Sequence, residues 1–277
     1  MEQRLALLTG KESNPDSVRW FETRGRGFTL SLTPLDIAQT FQGRVEAQPG
    51  AWIFTSATLA VGEAFEHFSA RLGLHDYEAL RLDSPFDFAR NTLLYHPPGL
   101  PDPSSPHFTM ALMEAVLPVL AASRGRAFLL FTSYRALREA TELLLGRFEY
   151  PLLVQGQRPK AALLREFREL GNAVLLGTAS FWEGVDVRGE ALSCVVIDRL
   201  PFAAPGDPVM QARIESLRQR GEDPFLSYQL PQAVITLKQG VGRLIRDVTD
   251  RGVLVLGDPR LTTKSYGRVF LNSLPPM

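Results

Sequence analysis

The sequence contains one cysteine, no long apolar run and no excess of charge of either sign. Cys194 alone cannot form an internal disulfide, and one thiolate is too few for a cysteine-rich zinc site or a cysteine-ligated iron–sulfur cluster in this chain. The 30 basic and 30 acidic residues cancel, so any binding to nucleic acid requires a local patch. The four histidines show no metal-ligand spacing, and we expect no metal site.

Membrane and export signals are missing as well. No apolar run approaches the ~20 residues that a transmembrane helix requires. The first residues, Met1 to Arg4, lack the basic start and the long apolar core of a signal peptide. We therefore expect a cytoplasmic protein with no membrane partner.

A phosphate-binding loop is also missing from the sequence. No G-x-x-x-x-G-K-[ST] pattern occurs, because Gly10-Lys11 is followed by Glu12 and Leu5 occupies the position of the first glycine. There is no consecutive Asp-Glu pair of the kind that holds magnesium in nucleotide-driven motors. These absences argue against a free-standing α/β enzyme that binds a small nucleotide by itself.

The pattern of apolar residues predicts strands that alternate with helices. The predicted strands are 28–32, 51–55, 127–131, 151–154, 173–176, 193–197 and 252–256. The predicted helices are 34–41, 63–72, 108–122, 134–145, 160–170, 208–219 and 225–246. This alternation is typical of βαβ units, and it predicts the α/β class with a mainly parallel sheet covered on both faces.

Residues 239–246 carry the most informative pattern, Q-G-V-G-R-L-I-R, which has the form Q-x-x-G-R-x-x-R. At 100° per residue the apolar positions share one helix face, and Gln239, Arg243 and Arg246 share the roughly opposite face. Guanidinium groups stay charged and donate in a planar fork, which suits phosphate oxygens. A solvated amphipathic helix is the alternative interpretation of this segment taken alone.

Four motifs occur in the order found in superfamily 2 helicases. Residues 55–59 resemble motif III, residues 131–134 motif IV, residues 177–186 motif V, and residues 239–246 motif VI. The runs F-W-E-G-V-D at 181–186 and L-P-F at 200–202 narrow the resemblance to the XPD/DinG class. The bacterial DinG/YoaA branch is the most similar. The resemblance runs from about residue 28 to the end.

This resemblance implies a RecA-like three-layer fold. It implies that residues 28–277 form the helicase C-terminal motor domain, with residues 1–27 as an extension or a remnant of the preceding domain. ATP and Mg²⁺ would be bound mainly by a first motor domain that carries the phosphate loop. An iron–sulfur cluster is possible in the full-length protein and is not expected in this chain.

The resemblance also assigns roles near the nucleotide. Arg246 corresponds to the arginine finger that reaches the γ-phosphate, and Arg243 and Gln239 assist it. Four further residues are assigned to ATP binding or to its coupling with DNA, namely Gly242, Glu183, Gly184 and Asp186. A structural ion pair with Asp186 or Glu183 is the alternative for Arg243, and a capped turn is the alternative for those two acids.

A third set of residues is assigned to single-stranded DNA. The set comprises Thr132, Ser133, Tyr134, Thr178, Ser180 and Trp182. The hydroxyl groups would donate hydrogen bonds to the sugar–phosphate backbone, which carries no sequence information. Trp182 or Tyr134 would stack on a base, with ordinary packing as the alternative for both aromatic rings.

Two hypotheses follow for the role of the chain. The first is the second motor domain of an ATP-dependent DNA helicase, moving 5′ to 3′, with single-stranded DNA and a first motor domain of the same protein as partners. The second is a non-catalytic, helicase-derived module that docks a replication or repair protein.

Overall fold

The structure, a computed structural model, describes residues 8–9, 16–48, 50–178, 181, 187, 189–204 and 206–277. Its strands are β1 (Ser17–Arg24), β2 (Gly27–Pro34), β3 (Thr92–Tyr95), β4 (Ala127–Leu130), β5 (Leu152–Val154), β6 (Val174–Gly177), β7 (Cys194–Ile197) and β8 (Gly252–Leu256). Its α-helices are α1 (Ala38–Ala47), α2 (Glu66–Leu72), α3 (Phe88–Asn91), α4 (Phe108–Ala122), α5 (Tyr134–Leu144), α6 (Lys160–Leu170), α7 (Pro208–Gln219), α8 (Leu230–Val241), α9 (Arg260–Thr263) and α10 (Gly267–Asn272). The chain divides into two compact units, Met1–Leu80 with Phe202–Gln232 and Arg81–Pro201 with Ala233–Met277.

The second unit is built on a six-stranded sheet. Its strands lie in the order β3-β8-β7-β4-β6-β5, and all the neighbouring pairs are parallel. The four central strands are short and apolar because both faces of the sheet are covered. Ser193 and Gly257 lie at opposite ends of the sheet, just before β7 and just after β8.

Helices cover both faces of this sheet. Ala127 and Leu129 point into a cluster that α4 and α5 complete with Phe108 and Leu137. Phe128 points to the opposite face, where its ring lies 4.7 Å from the ring of Phe167 on α6. Each of the larger buried side chains, such as Phe128 or Leu129, stabilises the fold by roughly 1.5–3 kcal/mol. The predicted three-layer α/β architecture with a parallel sheet is confirmed.

The first unit contains an antiparallel hairpin. β1 and β2 are joined at a tight turn in which Gly25 has a φ of 57°. β1 lies in the stretch predicted to be an extension, and it was not predicted as a strand. The division into residues 1–27 and 28–277 stays a prediction.

Two predicted elements of the chain are wrong. Residues 51–55 form no strand, and Trp52 and Phe54 instead pack with Phe41 of α1 in an aromatic cluster. The single helix predicted over 225–246 is a π-helical turn at Phe225–Gln229 followed by α8, which ends at Val241. Gly242 therefore lies in a turn, where an added Cβ would come within 3.2 Å of the Lys238 carbonyl oxygen.

Candidate functional site

Polar residues cluster at the carboxyl edge of the sheet. Thr132 follows β4, and its backbone N–H donates to Asp198 Oδ1 at 2.9 Å just beyond β7. Ser133 begins α5, because its hydroxyl accepts the backbone N–H of Ala136 at 3.2 Å. Ser133 therefore acts as a helix cap here, and the side chain predicted to contact DNA has a structural role as well.

A glutamine joins three neighbouring strand ends at this edge. Gln155 follows β5, and its Oε1 accepts both the backbone N–H of Thr178 at 2.6 Å and the Thr178 hydroxyl at 3.1 Å. These contacts fix the orientation of the amide, so Nε2 donates to the Tyr134 hydroxyl at 2.7 Å. The Tyr134 proton then points away from Gln155, and the Tyr134 side chain is 58% exposed. Sequence reasoning missed Gln155, although it is the first polar residue after a predicted strand.

The next residues of motif V are only partly described. Phe181 is buried against Gly177, where an added Cβ would lie 2.8 Å from the phenylalanine Cβ. This contact explains why β6 ends in glycine. The predicted site residues Ser180, Trp182, Glu183, Gly184 and Asp186 lie outside the described residues.

Asp198 is a buried acid at this edge, with 2% of its surface exposed. It accepts the backbone N–H groups of Thr132 and Arg199 through Oδ1, and the Arg199 guanidinium lies 4.0 Å from Oδ2. Burial raises the pKa of the Asp198 carboxyl to about 6, because the opposing contribution of Arg199 and of the hydrogen bonds is smaller.

Because of Asp198, we expect the free energy of unfolding of the domain to fall as the pH rises from 4 to 6. Its pKa is raised in the folded state to about 6, so over this range the unfolded chain loses the proton first and gains stability relative to the fold. The loss is on the order of 2–3 kcal/mol. Asp198→Asn keeps an acceptor for both N–H groups and should remove this decline.

Urea unfolding at pH 4, 5, 6 and 7 measures the effect as the difference between variant and wild type. Asp83→Asn at an exposed position of the same unit is the control and should follow the wild type. Parallel pH profiles for Asp198→Asn and the wild type would contradict the assignment.

The predicted arginine segment follows the end of α8. Val234, Leu237, Val241, Leu244 and Ile245 are all buried, as predicted. Arg243 Nε donates to the backbone oxygen of Gln239 at 3.0 Å. The Oε1 atom of Gln239 is buried and has no hydrogen-bond partner among the described residues. Gln239 Oε1 is thus a buried acceptor close to Arg243.

Arg246 lies in a loop held by one carboxylate. Asp250 Oδ2 accepts the backbone N–H groups of Arg246 and Asp247, each at 2.8 Å. Asn91 Nδ2 also donates to the Val248 oxygen at 3.3 Å, which ties the loop to the start of β3. These contacts fix the backbone from which the Arg246 side chain extends.

Among the described residues, the members of the two predicted sets lie at opposite edges of the sheet. Thr132, Tyr134 and Thr178 lie at the carboxyl edge of the sheet, where β4 and β6 end. The arginine loop leads into the amino end of β8, where Leu244 contacts Gly252. The sheet therefore separates Thr132, Tyr134 and Thr178 from the loop that carries Arg246.

A parallel three-layer domain with polar residues at its strand ends has the architecture that many nucleotide-binding proteins share. The chain belongs to the helicase C-terminal domain family, whose model matches residues 116–277. It is close to YoaA and DinG helicases.

The relatives are larger proteins. The chain is 50% identical over 274 residues to the ATP-dependent DNA helicase YoaA of Escherichia coli K12. This match covers 99% of this chain and 43% of that protein. The chain is 38% identical over 251 residues to the ATP-dependent helicase DinG of Mycobacterium tuberculosis H37Ra, covering 89% of this chain and 38% of the relative. The chain therefore spans less than half the length of these relatives.

A solved XPD helicase structure has the same fold. It matches with a TM-score of 0.69 at 18% identity, over 98% of this chain and 49% of that chain. Within the described residues, no helix is long and apolar enough to cross a membrane, and no group of three His, Cys, Asp or Glu side chains could hold a metal.

Proposed function

We propose that this chain is the second motor domain of an ATP-dependent DNA helicase that moves 5′ to 3′ on single-stranded DNA in replication or repair. The family match and the names of the relatives support the class of activity. The ordered motifs support the role within it. The direction of movement follows from the resemblance to the XPD/DinG class.

The observation that carries the proposal is the junction of three strand ends through Gln155. Its amide holds Thr178 on one side and the exposed Tyr134 hydroxyl on the other. A tyrosine held in this way presents its proton to solvent at low entropic cost, which suits a phosphate oxygen of the DNA backbone. Thr132 is positioned beside it by Asp198. Ser180 and Trp182 would extend this track.

At the amino edge of the sheet, Arg246 would contact the γ-phosphate of ATP. ATP is the substrate, and Mg²⁺ bound with it would neutralise phosphate charge, both held mainly by a first motor domain. Arg243 and Gln239 would assist, and the buried Gln239 oxygen supports a contact with a group that these residues do not supply. Gly242, Glu183, Gly184 and Asp186 would couple the nucleotide to the grip on DNA. An iron–sulfur cluster would belong to another part of the protein.

The first unit of this chain exposes apolar side chains, and this supports contact with another domain, namely the first motor domain of the full-length protein. Ile53 is 83% exposed within a stretch whose sequence is typical of a buried strand. Phe21 and Leu30 are cross-strand neighbours on one face of the hairpin, and both are exposed. Surfaces of this kind are stabilised by contact with another domain.

We expect weak, sequence-independent binding of single-stranded DNA by the 277-residue chain. The formal net charge is zero, so affinity should depend on local contacts and should fall as salt rises. Tyr134→Phe and Gln155→Leu should each weaken binding severalfold. The first removes the hydroxyl donor, and the second removes the amide that orients this hydroxyl. Titration of labelled homopolymers at two salt concentrations measures both effects.

Tyr150→Phe is the matched control, because Tyr150 precedes β5 at the opposite edge of the sheet. It should bind like the wild type. Strong preference for one homopolymer, salt-independent affinity, or equal binding by Tyr134→Phe and the wild type would refute the proposed track.

A further inference from the structure

A cavity of about 790 Å³ opens at the amino edge of the parallel sheet, within the second unit. It lies among α3, the first residues of β3, the end of α4 and the segments that enter β7 and β8. Part of its wall is apolar and is formed by Ala89, Leu93, Val119, Ala122 and Val253. The volume is in the range of ligand-binding sites in proteins.

Three arginines line this cavity, namely Arg90, Arg126 and Arg251. Among the described residues, none of the three forms an ion pair, and Arg126 Nε donates to the Ser123 carbonyl oxygen at 2.8 Å. Two acids also line the cavity, Glu190 and Asp250, and Asp250 already accepts two backbone N–H groups. Three guanidinium groups and two carboxylates leave a formal excess of one positive charge in the lining, which favours an anionic ligand.

Two hydroxyl groups in the same lining are buried without a partner. Thr92 Oγ1 and Ser193 Oγ have no hydrogen-bond partner among the described residues, and the Thr92 residue is 8% exposed. Buried hydroxyl groups are almost always satisfied in folded proteins. These two hydroxyl groups are therefore buried polar atoms within the wall of the cavity.

The open edge of the sheet decides which kind of ligand fits. β3 is the outermost strand, and no described strand pairs with its free side. Leu93 on this strand is 63% exposed. A free strand edge with alternate apolar positions accepts an extended peptide through backbone hydrogen bonds. The aliphatic wall suits apolar side chains better than it suits the sugars of a nucleic acid.

We propose that this cavity binds an extended acidic peptide segment of a partner protein. The peptide adds beside β3, its carboxylates pair with Arg90 and Arg251, and its apolar side chains contact Leu93. Binding also braces the loop that carries Arg246, because Asp250 precedes Arg251 and accepts the Arg246 N–H. This second consequence rests on the proposed function of Arg246, whereas the peptide site does not.

The test is a selection of random nonapeptides displayed on phage against the 277-residue chain, followed by fluorescence anisotropy with the selected peptides. The selected sequences should combine at least two acidic residues with apolar ones. The double variant Arg90→Gln/Arg251→Gln, at two exposed positions, should bind them at least tenfold more weakly. Arg124→Gln, next to Arg126 and outside the lining, should bind within twofold of the wild type.

Selection of peptides without acidic residues, or equal binding by the double variant and the wild type, would overturn the site. Competition separates the other anions. Inorganic phosphate, ADP and oligo(dT) should fail to displace the peptide, and displacement by any of them that the double variant abolishes would reassign the cavity to that anion. Thermal melts of all variants establish that each one is folded.

Hydrogen exchange tests the coupling without ATP or a first motor domain. Peptide binding should slow amide exchange in residues 246–250, and unchanged exchange there would overturn the coupling. Because neither readout uses ATP turnover, loss of the proposed helicase role and loss of this site give different results.

Discussion

Arg246→Ala should lower the ATP turnover of the full-length helicase by about 10³-fold or more at saturating single-stranded DNA. An arginine that meets the γ-phosphate as charge develops contributes on the order of 4 kcal/mol to lowering the barrier. Arg246→Lys should recover little activity, because an ammonium group cannot reproduce the planar, forked contact. Steady-state ATPase kinetics measure both variants.

The fold should tolerate this substitution. The contact that places the loop is made by the backbone N–H of Arg246 with Asp250, and alanine keeps it. The melting temperature of the domain should therefore shift by only a few degrees. Arg138→Ala, at an exposed position on α5, is the control for loss of an arginine and should keep wild-type turnover. Near-normal turnover with a large loss of stability would make Arg246 a structural residue.

The 277-residue chain by itself should hydrolyse ATP at no measurable rate. The arginines stabilise charge on a phosphate that another domain must bind and orient, and the sequence contains no G-x-x-x-x-G-K-[ST] loop to do so. The expected difference from the full-length protein is thus complete loss of magnesium-dependent turnover. A coupled assay with and without single-stranded DNA measures it.

The Arg246→Ala form of the same chain controls for contaminating ATPases. Any residual turnover should be identical in the two preparations. Turnover of many ATP molecules per chain that disappears in Arg246→Ala would contradict the proposed division of labour between two motor domains.

The central strands were predictable because both of their faces are buried. Ala127–Leu130 and Cys194–Ile197 are apolar runs of the length and composition that a covered parallel sheet requires. β3 escaped prediction, since it is an edge strand and Leu93 on it is exposed. Residues 51–55 show the converse, because an apolar run forms a strand only where a neighbouring strand is available to pair with it.

The site was predictable to the extent that it lies at strand ends. Thr132 and Thr178 are brought to one edge as the order of strands implies, and Gln155 obeys the same rule. The end of α8 was not predictable from burial, since Leu244 and Ile245 stay buried after the helix has ended. Periodicity reports which residues face the core, and it does not report the backbone that places them there.

The central claim is that the two edges of this sheet have two different functions. A titration of full-length helicase with single-stranded DNA, with ATP turnover as the readout, gives both the DNA concentration at half-maximal rate and the maximal rate. Gln155→Leu should raise the DNA concentration at half-maximal rate severalfold and keep the maximal rate. Arg246→Ala should abolish the maximal rate and leave the DNA affinity, measured by anisotropy, unchanged. If Gln155→Leu lowered only the maximal rate, or if Arg246→Ala lost DNA affinity, the separation of the two functions would be contradicted.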